Sequence, residues 1–264
     1  MVERCFDETH LSYSSDRTWD ECQYKSFAFK NGLAPLVVNE KMLIGSSVDA
    51  YVSGALSGEP LTKDDAWNKA LADMRERYKV TLMDETKAVE QHLAYCNKAD
   101  EEVIPVMADR VRWVQPEWHF VVDGETYHAH PDFVLDDYSI VDLKTSGRRF
   151  DAERVHVDQQ LTAYAYALRA AMGFVAPSVA LVGLIGLKAG VVVDTQVGTR
   201  SEAQLDAWED DARARIATRR FSKSFGFYAR QGRASMFACK GCSVRPSCPS
   251  WAGTELLAAT LGEE

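Results

Sequence analysis

A block of alternating apolar residues between positions 111 and 144 constrains the fold of this chain more than any other feature. It contains the runs VRWVQPEWHFVV, ETYHAHPDFVL and YSIVDLK. An Asp-Gly pair separates the first two runs, and an Asp-Asp pair separates the last two. Such short polar pairs between apolar alternations are typical of tight hairpin turns. The pattern therefore predicts three strands joined by two turns.

Segments with helical spacing lie on both sides of this strand block. We expect helices over residues 11–29, from near Gly45 to 56, and over 61–78, 83–98, 151–172 and 201–220. Two further strands are expected at 178–187 and 190–198. A mixed central sheet flanked by helices buries the apolar faces of such elements, which predicts an α/β fold. A chain of 264 residues is long enough for one large domain or two smaller ones.

The composition carries no mark of export or of membrane insertion. Apolar residues make up 46% of the chain and charged residues 26%, and no apolar run approaches the roughly 20 residues of a membrane span. The first ten residues, MVERCFDETH, lack the apolar stretch of a secretory signal. We therefore expect a cytoplasmic protein with no membrane partner and no disulfide framework.

The positive charge of the chain is concentrated in one tract. The whole chain carries a net charge of −9, whereas residues 213–245 contain nine basic and no acidic residues. The aromatic residues Phe221, Phe225, Phe227, Tyr228 and Phe237 are interleaved with these charges. A basic tract with aromatic side chains can hold phosphates and stack bases. The alternative is the solvated face of a helix whose aromatics point into the core.

Three polar residues at strand ends suggest a metal site. Asp142 and Lys144 are two residues apart, so on a strand they share one face. Asp132 precedes the neighbouring strand, and a tight hairpin would bring it close to Asp142. Two facing carboxylates repel each other unless a cation lies between them, and Mg²⁺ prefers such ligands. The alternative is an exposed ion pair at the end of a strand.

The following helix adds two polar side chains. Gln160 and Tyr164 are four residues apart and share one helix face, from which they could contact a DNA backbone. The alternative for Tyr164 is packing in the core. Tyr164 and Tyr166 cannot both point inward on an isolated helix, so we expect one of them to be exposed.

Three cysteines near the end of the chain have the spacing of a metal site. They are Cys239, Cys242 and Cys248, in the pattern Cys-x₂-Cys-x₅-Cys. A tetrahedral centre needs a fourth ligand, for which the candidates are Cys5, Cys22 and Cys96. The spacing alone leaves zinc and iron–sulfur occupants open.

Together, these motifs resemble the core of the PD-(D/E)xK nucleases. The match consists of Asp132, the VDLK segment and the Gln-x₃-Tyr helix, and more narrowly these motifs resemble the RecB and Cas4 branch. The resemblance implies that residues 1–264 form a single nuclease domain whose core spans about 100–200. The resemblance implies a restriction-endonuclease-like sheet in which Mg²⁺ or Mn²⁺ is bound by Asp132, Asp142 and the carbonyl of Leu143. It also implies that Lys144 is catalytic, alongside the two aspartates, and that Gln160 and Tyr164 contact DNA.

The same resemblance implies an iron–sulfur centre that joins the two ends of the chain. Cys22 becomes the fourth ligand, with Cys239, Cys242 and Cys248, of a [4Fe–4S] cluster, with zinc as the alternative occupant. The cluster would join an N-terminal helix over 12–30 to the C-terminal segment 213–251. It would place a DNA path that includes Arg219, Arg220 and Lys223 beside that helix. Cys5 and Cys96 are expected to be ordinary thiols.

One position departs from the family pattern. Asp49 stands where a histidine ligand is expected, and a carboxylate is an acceptable ligand for Mg²⁺. We predict that Asp49 is a further metal ligand; the alternatives are an altered metal preference, weaker activity or simple exposure of Asp49. Glu117 is expected to have at most an auxiliary role. His128 and His130 share one face of a strand, but the resemblance gives this pair no zinc-binding role.

The sequence therefore predicts a metal-dependent DNA exonuclease that hydrolyses phosphodiester bonds in recombination, repair or end processing. Its expected substrate is DNA ends, single-stranded in particular, and its expected partners are a helicase, a recombinase or an integrase. The alternative is a DNA-binding module without catalysis, or a nuclease subunit that is active only inside a larger complex.

Overall fold

The computed structural model describes residues 10–33, 37–230, 239 and 242–248. The helices within these residues are α1 (Tyr13–Glu21), α2 (Gln23–Lys30), α3 (Glu40–Ser57), α4 (Lys63–Arg77), α5 (Glu85–Lys98), α6 (Ile104–Met107), α7 (Arg154–Val157), α8 (Gln159–Met172) and α9 (Glu202–Phe225). A π-helical segment, Ala99–Val103, joins α5 to α6, and a 3₁₀ turn covers Arg245–Ser247.

The strands are β1 (His10–Leu11), β2 (Val37–Val38), β3 (Lys79–Val80), β4 (Val111–Val114), β5 (Trp118–Val122), β6 (Glu125–Ala129), β7 (Phe133–Leu135), β8 (Ile140–Ser146), β9 (Val179–Leu187) and β10 (Gly190–Gly198). By internal contacts the chain divides into two units. The first comprises Met1–Val37, Val121–Tyr127 and Asp211–Glu264, and the second comprises Val38–Phe120 and His128–Asp210.

The second unit contains a five-stranded mixed sheet in the order β10-β9-β8-β7-β4. Strands β8 and β9 are parallel and are connected through α7 and α8, whereas the other neighbouring pairs are antiparallel. Helix α3 packs on β4 and β8, and α8 packs on β8 and β9. A core of buried apolar side chains forms between these layers, including Leu43, Val48, Phe133 and Leu184. The predicted α/β fold with a mixed sheet flanked by helices is confirmed.

The strand block is more divided than the sequence predicted. The first run splits into β4 and β5 at Gln115, whose φ of 46° turns the chain before Pro116. The second run splits into β6 and β7 around Pro131. A proline has no N–H to donate to a strand ladder, which explains both interruptions. The Asp-Gly hairpin is confirmed, because Asp123 and Gly124 both have positive φ, as a tight two-residue turn requires.

The helices also differ from their predicted bounds. The helix expected over 11–29 breaks at Cys22, whose extended backbone ends α1 and begins α2. Helix α9 continues to Phe225, five residues beyond the expected end. The expected exposure of one tyrosine in α8 is wrong, because Tyr164 and Tyr166 are both only 7% exposed. Helix α8 is covered on two sides, since Tyr166 also packs against Phe120 and Trp208.

The first unit is organised around α1, α2 and the second part of α9. Strand β1 pairs in parallel with β6, with Leu11 opposite Tyr127. Asp16 of α1 is buried and accepts a hydrogen bond from Arg219 of α9 at 2.6 Å. Among the described helices, none is both long enough and apolar enough to span a membrane.

Candidate active site

The β7–β8 hairpin brings the two strand-end aspartates together. Phe133 lies opposite Val141, so Asp132 and Asp142 occupy the next pair of positions along the two strands. The backbone N–H of Leu143 donates to Oδ2 of Asp132 at 2.6 Å. The Nζ atom of Lys144 donates to Oδ1 of Asp142 at 2.8 Å, and the Asp142 side chain is only 1% exposed. The two aspartates and the lysine therefore form one cluster.

A third carboxylate comes from α3. Asp49 lies close enough to Asp132, Asp142 and Lys144 for its charge to interact with each of theirs. Its Oδ2 atom accepts a hydrogen bond from Nε2 of Gln115 at 2.7 Å. The backbone N–H of Gln115 donates to the carbonyl of Asp132 at 2.8 Å. Gln115 thus links two of the carboxylate residues. Nothing in its local sequence except the following proline marks it, so the sequence analysis missed it.

Burial perturbs the protonation of all three carboxyl groups. Burial raises the pKa of Asp132 to about 7, and the charge of Asp49 adds to the shift. It likewise raises the pKa of Asp142 to about 7 against the opposing effect of Lys144, and the pKa of Asp49 to about 6. For Lys144, burial disfavours the ammonium, but the charges of Asp142 and Asp132 outweigh burial and raise its pKa. The single ammonium does not neutralise three carboxylates.

The donor atoms of this cluster fit a divalent cation. Within the part of the chain that the structure describes, the Oδ1 atom of Asp49 is buried and has no hydrogen-bond partner, although the nearby hydroxyl of Ser53 lowers the pKa of the carboxyl group. A buried carboxylate oxygen without a partner is costly in a metal-free protein. Hard oxygen ligands of this kind suit Mg²⁺ or Mn²⁺. Asp49, Asp132 and Asp142 are therefore the side chains that could hold such an ion.

Helix α8 supplies the second predicted pair. Asp158 caps the helix by accepting from the backbone N–H groups of Gln160 and Leu161, which fixes its first turn. Nε2 of Gln160 donates to the hydroxyl of Tyr164 at 2.6 Å. Burial raises the pKa of Tyr164 well above its usual value, and the nearby charges of Asp142 and Asp132 add to this shift. The phenol of Tyr164 therefore stays neutral beside the carboxylates, while Gln160 is half-buried.

Four cysteines of the first unit lie near one another. Burial raises the pKa of Cys239, and the thiols of Cys242, Cys22 and Cys248 act electrostatically on it in the same direction. All four are half-buried and free of disulfides. The segment around Cys242 packs on α2, because Val244 and Ala28 form a small core with Tyr24 and Phe29.

A fifth cysteine lies in the second unit. Cys96 is buried in α5, where burial raises the pKa of its thiol to about 12. Cys5 lies outside the described residues.

Acidic side chains form ion pairs with several residues of the basic tract. Arg219 is largely buried, donates to Asp16 and stacks over Trp19. Arg220 donates to the carboxylates of Asp123 and Glu125 from a half-exposed position. Lys223 is exposed, as are the aromatic rings of Phe221, Phe225 and Phe227. The predicted DNA contacts of this tract therefore differ strongly in their accessibility.

Comparison with solved structures agrees with this architecture. A candidate exonuclease from Eubacterium rectale matches with a TM-score of 0.61 and 14% identity, covering 87% of this chain and 89% of that one. This likeness concerns the fold alone. An alkaline exonuclease from Laribacter hongkongensis is 13% identical over 71% of this chain and 90% of its own, with a TM-score of 0.35 that is too low to support any inference.

Comparison with sequence families is more decisive. No curated protein matches the sequence. The sequence profile of the PD-(D/E)XK nuclease superfamily, however, matches residues 10–249, which include the carboxylate cluster, helix α8 and the four neighbouring cysteines. The chain belongs to the PD-(D/E)XK nuclease superfamily.

Proposed function

We propose that this nuclease is a divalent-metal-dependent DNA exonuclease. The observation that carries the proposal is the convergence of Asp49, Asp132 and Asp142 beside the ammonium of Lys144. The Asp49 oxygen, which lacks a hydrogen-bond partner among the described residues, and the excess of negative charge support a cation at this point. When bound, Mg²⁺ or Mn²⁺ supplies Lewis-acid activation of water and neutralises charge on a phosphodiester.

The backbone of β8 supports the carbonyl of Leu143 as a further ligand. The N–H and C=O groups of one strand residue point to the same edge of the strand. The N–H of Leu143 donates to Asp132, so its carbonyl points to that same edge. The last paired residues of β7 and β8 are Phe133 and Val141, so no strand of the described residues pairs with this edge of β8 at Leu143.

The other side chains have distinct roles in the proposed reaction. Lys144, held at 2.8 Å from Asp142, donates to a phosphate oxygen and stabilises the negative charge that develops during hydrolysis. Tyr164 stays protonated beside the cluster and fixes the amide of Gln160 at 2.6 Å. Gln160 contacts the DNA backbone from its half-buried position. Gln115 orients Asp49.

The nuclease assay uses end-labelled single- and double-stranded DNA with Mg²⁺ and with Mn²⁺. Asp142→Asn and Lys144→Ala should each reduce hydrolysis at least a hundredfold while the circular dichroism spectrum is unchanged. Lys188→Ala, an exposed lysine in the β9–β10 turn, is the matched control and should retain full activity. Closed circular DNA should resist an exonuclease. Activity retained by Lys144→Ala would contradict the proposed chemistry, and DNA binding without cleavage under any divalent ion would favour the binding-module alternative.

We also infer a [4Fe–4S] cluster, as in the Cas4 and RecB-like branch, at Cys22, Cys239, Cys242 and Cys248, with zinc as the alternative occupant. Support comes from the electrostatic influence of the Cys242, Cys22 and Cys248 thiols on Cys239 and from the packing of Val244 on Ala28. Bound metal would stabilise the fold of the first unit, because the free energy of metal binding adds to that of folding.

The cluster is tested by anaerobic purification. The protein should be brown and contain about four iron and four sulfide per chain, and Cys242→Ser should bleach it. Cys96→Ser, which alters a buried thiol of the second unit, is the control that should stay brown. A colourless protein with stoichiometric zinc would establish the alternative occupant.

In the first unit, we propose Lys223 and Arg220 as DNA contacts, flanked by the exposed rings of Phe221, Phe225 and Phe227, which can stack on single-stranded bases. Arg220 can exchange its half-exposed carboxylate partners for a phosphate. Arg219 is occupied by the buried Asp16, which supports a structural role rather than direct contact. Lys223→Glu should therefore lower the affinity for single-stranded DNA and make that affinity less dependent on salt concentration. Fluorescence anisotropy measures both.

A biological setting in recombination, repair or end processing, with a helicase, recombinase or integrase as partner, is proposed on the resemblance to the Cas4 and RecB branch.

A further inference from the structure

A cluster of histidines lies on the β5–β6 hairpin, on residues that the proposed hydrolysis does not use. Three of the six histidines in the chain, His119, His128 and His130, fall within twelve residues. His119 of β5 is exposed, whereas its neighbours Trp118 and Phe120 are buried, so His119 points away from the core. His128 of β6 lies against it, with the two ring centroids 4.0 Å apart.

Glu117 joins the two rings. Its Oε1 atom lies 2.7 Å from Nε2 of His119 and 3.5 Å from Nδ1 of His128. The three possible ligand atoms all lie within 4.8 Å of one another. In a tetrahedral zinc site with ligand bonds of about 2.0–2.1 Å, neighbouring ligand atoms are roughly 3.3 Å apart. The observed separations bracket that value, so small side-chain rotations would form the site.

We infer that Glu117, His119 and His128 bind a late first-row transition metal ion, of which Zn²⁺ is the representative. Two imidazoles and one carboxylate are the ligand set that such ions prefer over Mg²⁺. Three protein ligands leave a fourth position open to water or to another ligand. The site differs in chemistry from the all-carboxylate cluster of Asp49, Asp132 and Asp142.

The exposure of the three side chains is compatible with metal binding. The side chain of Glu117 is 50% exposed and that of His119 is 52% exposed, which gives an ion access from solvent, whereas His128 is only 11% exposed.

The test is zinc titration of the full-length protein by isothermal titration calorimetry, with the Cu²⁺-loaded protein examined by electron paramagnetic resonance. The wild-type protein should bind Zn²⁺ with micromolar or tighter affinity at this site, and its Cu²⁺ spectrum should show coupling to imidazole nitrogen. His119→Ala and His128→Ala should each weaken the zinc affinity at least tenfold and remove the nitrogen coupling. Glu117→Gln should weaken the zinc affinity.

Three control variants separate this site from other metal-binding residues. His156→Ala, an exposed histidine in α7, should leave the binding event unchanged. Asp142→Asn and Cys242→Ser should also leave it unchanged, because they alter the carboxylate cluster and the cysteine group. If the event survives in both His119→Ala and His128→Ala, or is lost only in Asp142→Asn or Cys242→Ser, the inferred site does not exist. Nuclease activity is not part of this readout, so the outcome is independent of the proposed hydrolysis.

Discussion

Replacement of Asp132 by asparagine should stabilise the metal-free protein. Asp132, Asp142 and Asp49 crowd three carboxylates around one lysine, and burial with mutual repulsion raises their pKa values. Asparagine is nearly the same size and can still accept the hydrogen bond that the N–H of Leu143 donates. The substitution therefore removes a charge while keeping the contacts of the side chain.

The magnitude follows from the shift in the pKa of Asp132, from 3.8 to about 7. A shift of about 3 units corresponds to ~4 kcal/mol of unfavourable free energy in the folded state at a pH above both values. Asp49 titrates together with Asp132, so the two residues share part of this cost. We therefore expect Asp132→Asn to raise the free energy of unfolding by about 2 kcal/mol at pH 8.5.

The sign of the pH dependence is part of the prediction. The folded-state pKa of Asp132 is raised, so its protonated form contributes stability at low pH, and this contribution is lost as the pH rises from about 4 through about 7. The advantage of Asp132→Asn should therefore be much smaller at pH 5 than at pH 8.5. In saturating Mn²⁺ the wild-type protein should instead be more stable than Asp132→Asn, because it binds the ion that neutralises its carboxylates.

Urea unfolding followed by circular dichroism measures these differences, in EDTA and in Mn²⁺, at both pH values. Asp109→Asn, an exposed aspartate in the turn after α6, is the matched control and should change stability by less than ~0.5 kcal/mol. Equal stability of Asp132→Asn and the wild-type protein in EDTA at pH 8.5 would refute the proposed repulsion. An equal gain in the free energy of unfolding of Asp132→Asn at both pH values would instead refute the electrostatic origin of the stabilisation.

Three further perturbations test other parts of the structure. Asp49→His should retain Mn²⁺-dependent hydrolysis and lose most Mg²⁺-dependent hydrolysis, because imidazole is a softer ligand; equal rates with both ions would exclude Asp49 from the metal site. Asp16→Ala should cost about 3–5 kcal/mol in the free energy of unfolding, since it leaves Arg219 without its buried partner. The more exposed Asp20→Ala should cost less than ~1 kcal/mol, and similar losses in both variants would argue against the buried pair. Gly186→Ala should cost about 1–3 kcal/mol in thermal or urea unfolding, because the added Cβ would lie 2.6 Å from the hydroxyl of Tyr95; unchanged stability would show that this contact relaxes freely.

Patterns confined to single elements were predictable from the sequence. The alternation between 111 and 144, the Asp-Gly turn and the helical spacing of 61–78 are set by local backbone geometry and side-chain polarity. The α/β class follows from the order of these elements. The placement of Asp132 near Asp142 was also predictable, because a short turn keeps the two strands that carry them adjacent. The exact register, with Phe133 opposite Val141, depends on a three-residue turn over 136–138 in which Tyr138 has a φ of 66°.

The tertiary structure decided which side chains from distant elements meet. Gln115 links Asp49 to Asp132 only because the chain turns at Gln115 and α3 packs on β4 and β8. The burial of Tyr166 in α8 depends on its packing against Phe120 and Trp208, which the helical spacing of the sequence does not predict.

Charge was the property that the sequence described least well. The sequence of the basic tract predicts a continuous positive surface. In the structure, however, Arg219 forms an ion pair with Asp16, which lies more than two hundred positions earlier in the chain. Similarly, the spacing of His128 and His130 draws attention to that pair, whereas the structure places His128 beside His119 and Glu117. Local sequence determines which groups a segment offers, but long-range packing determines which of them meet, lose water and change their pKa.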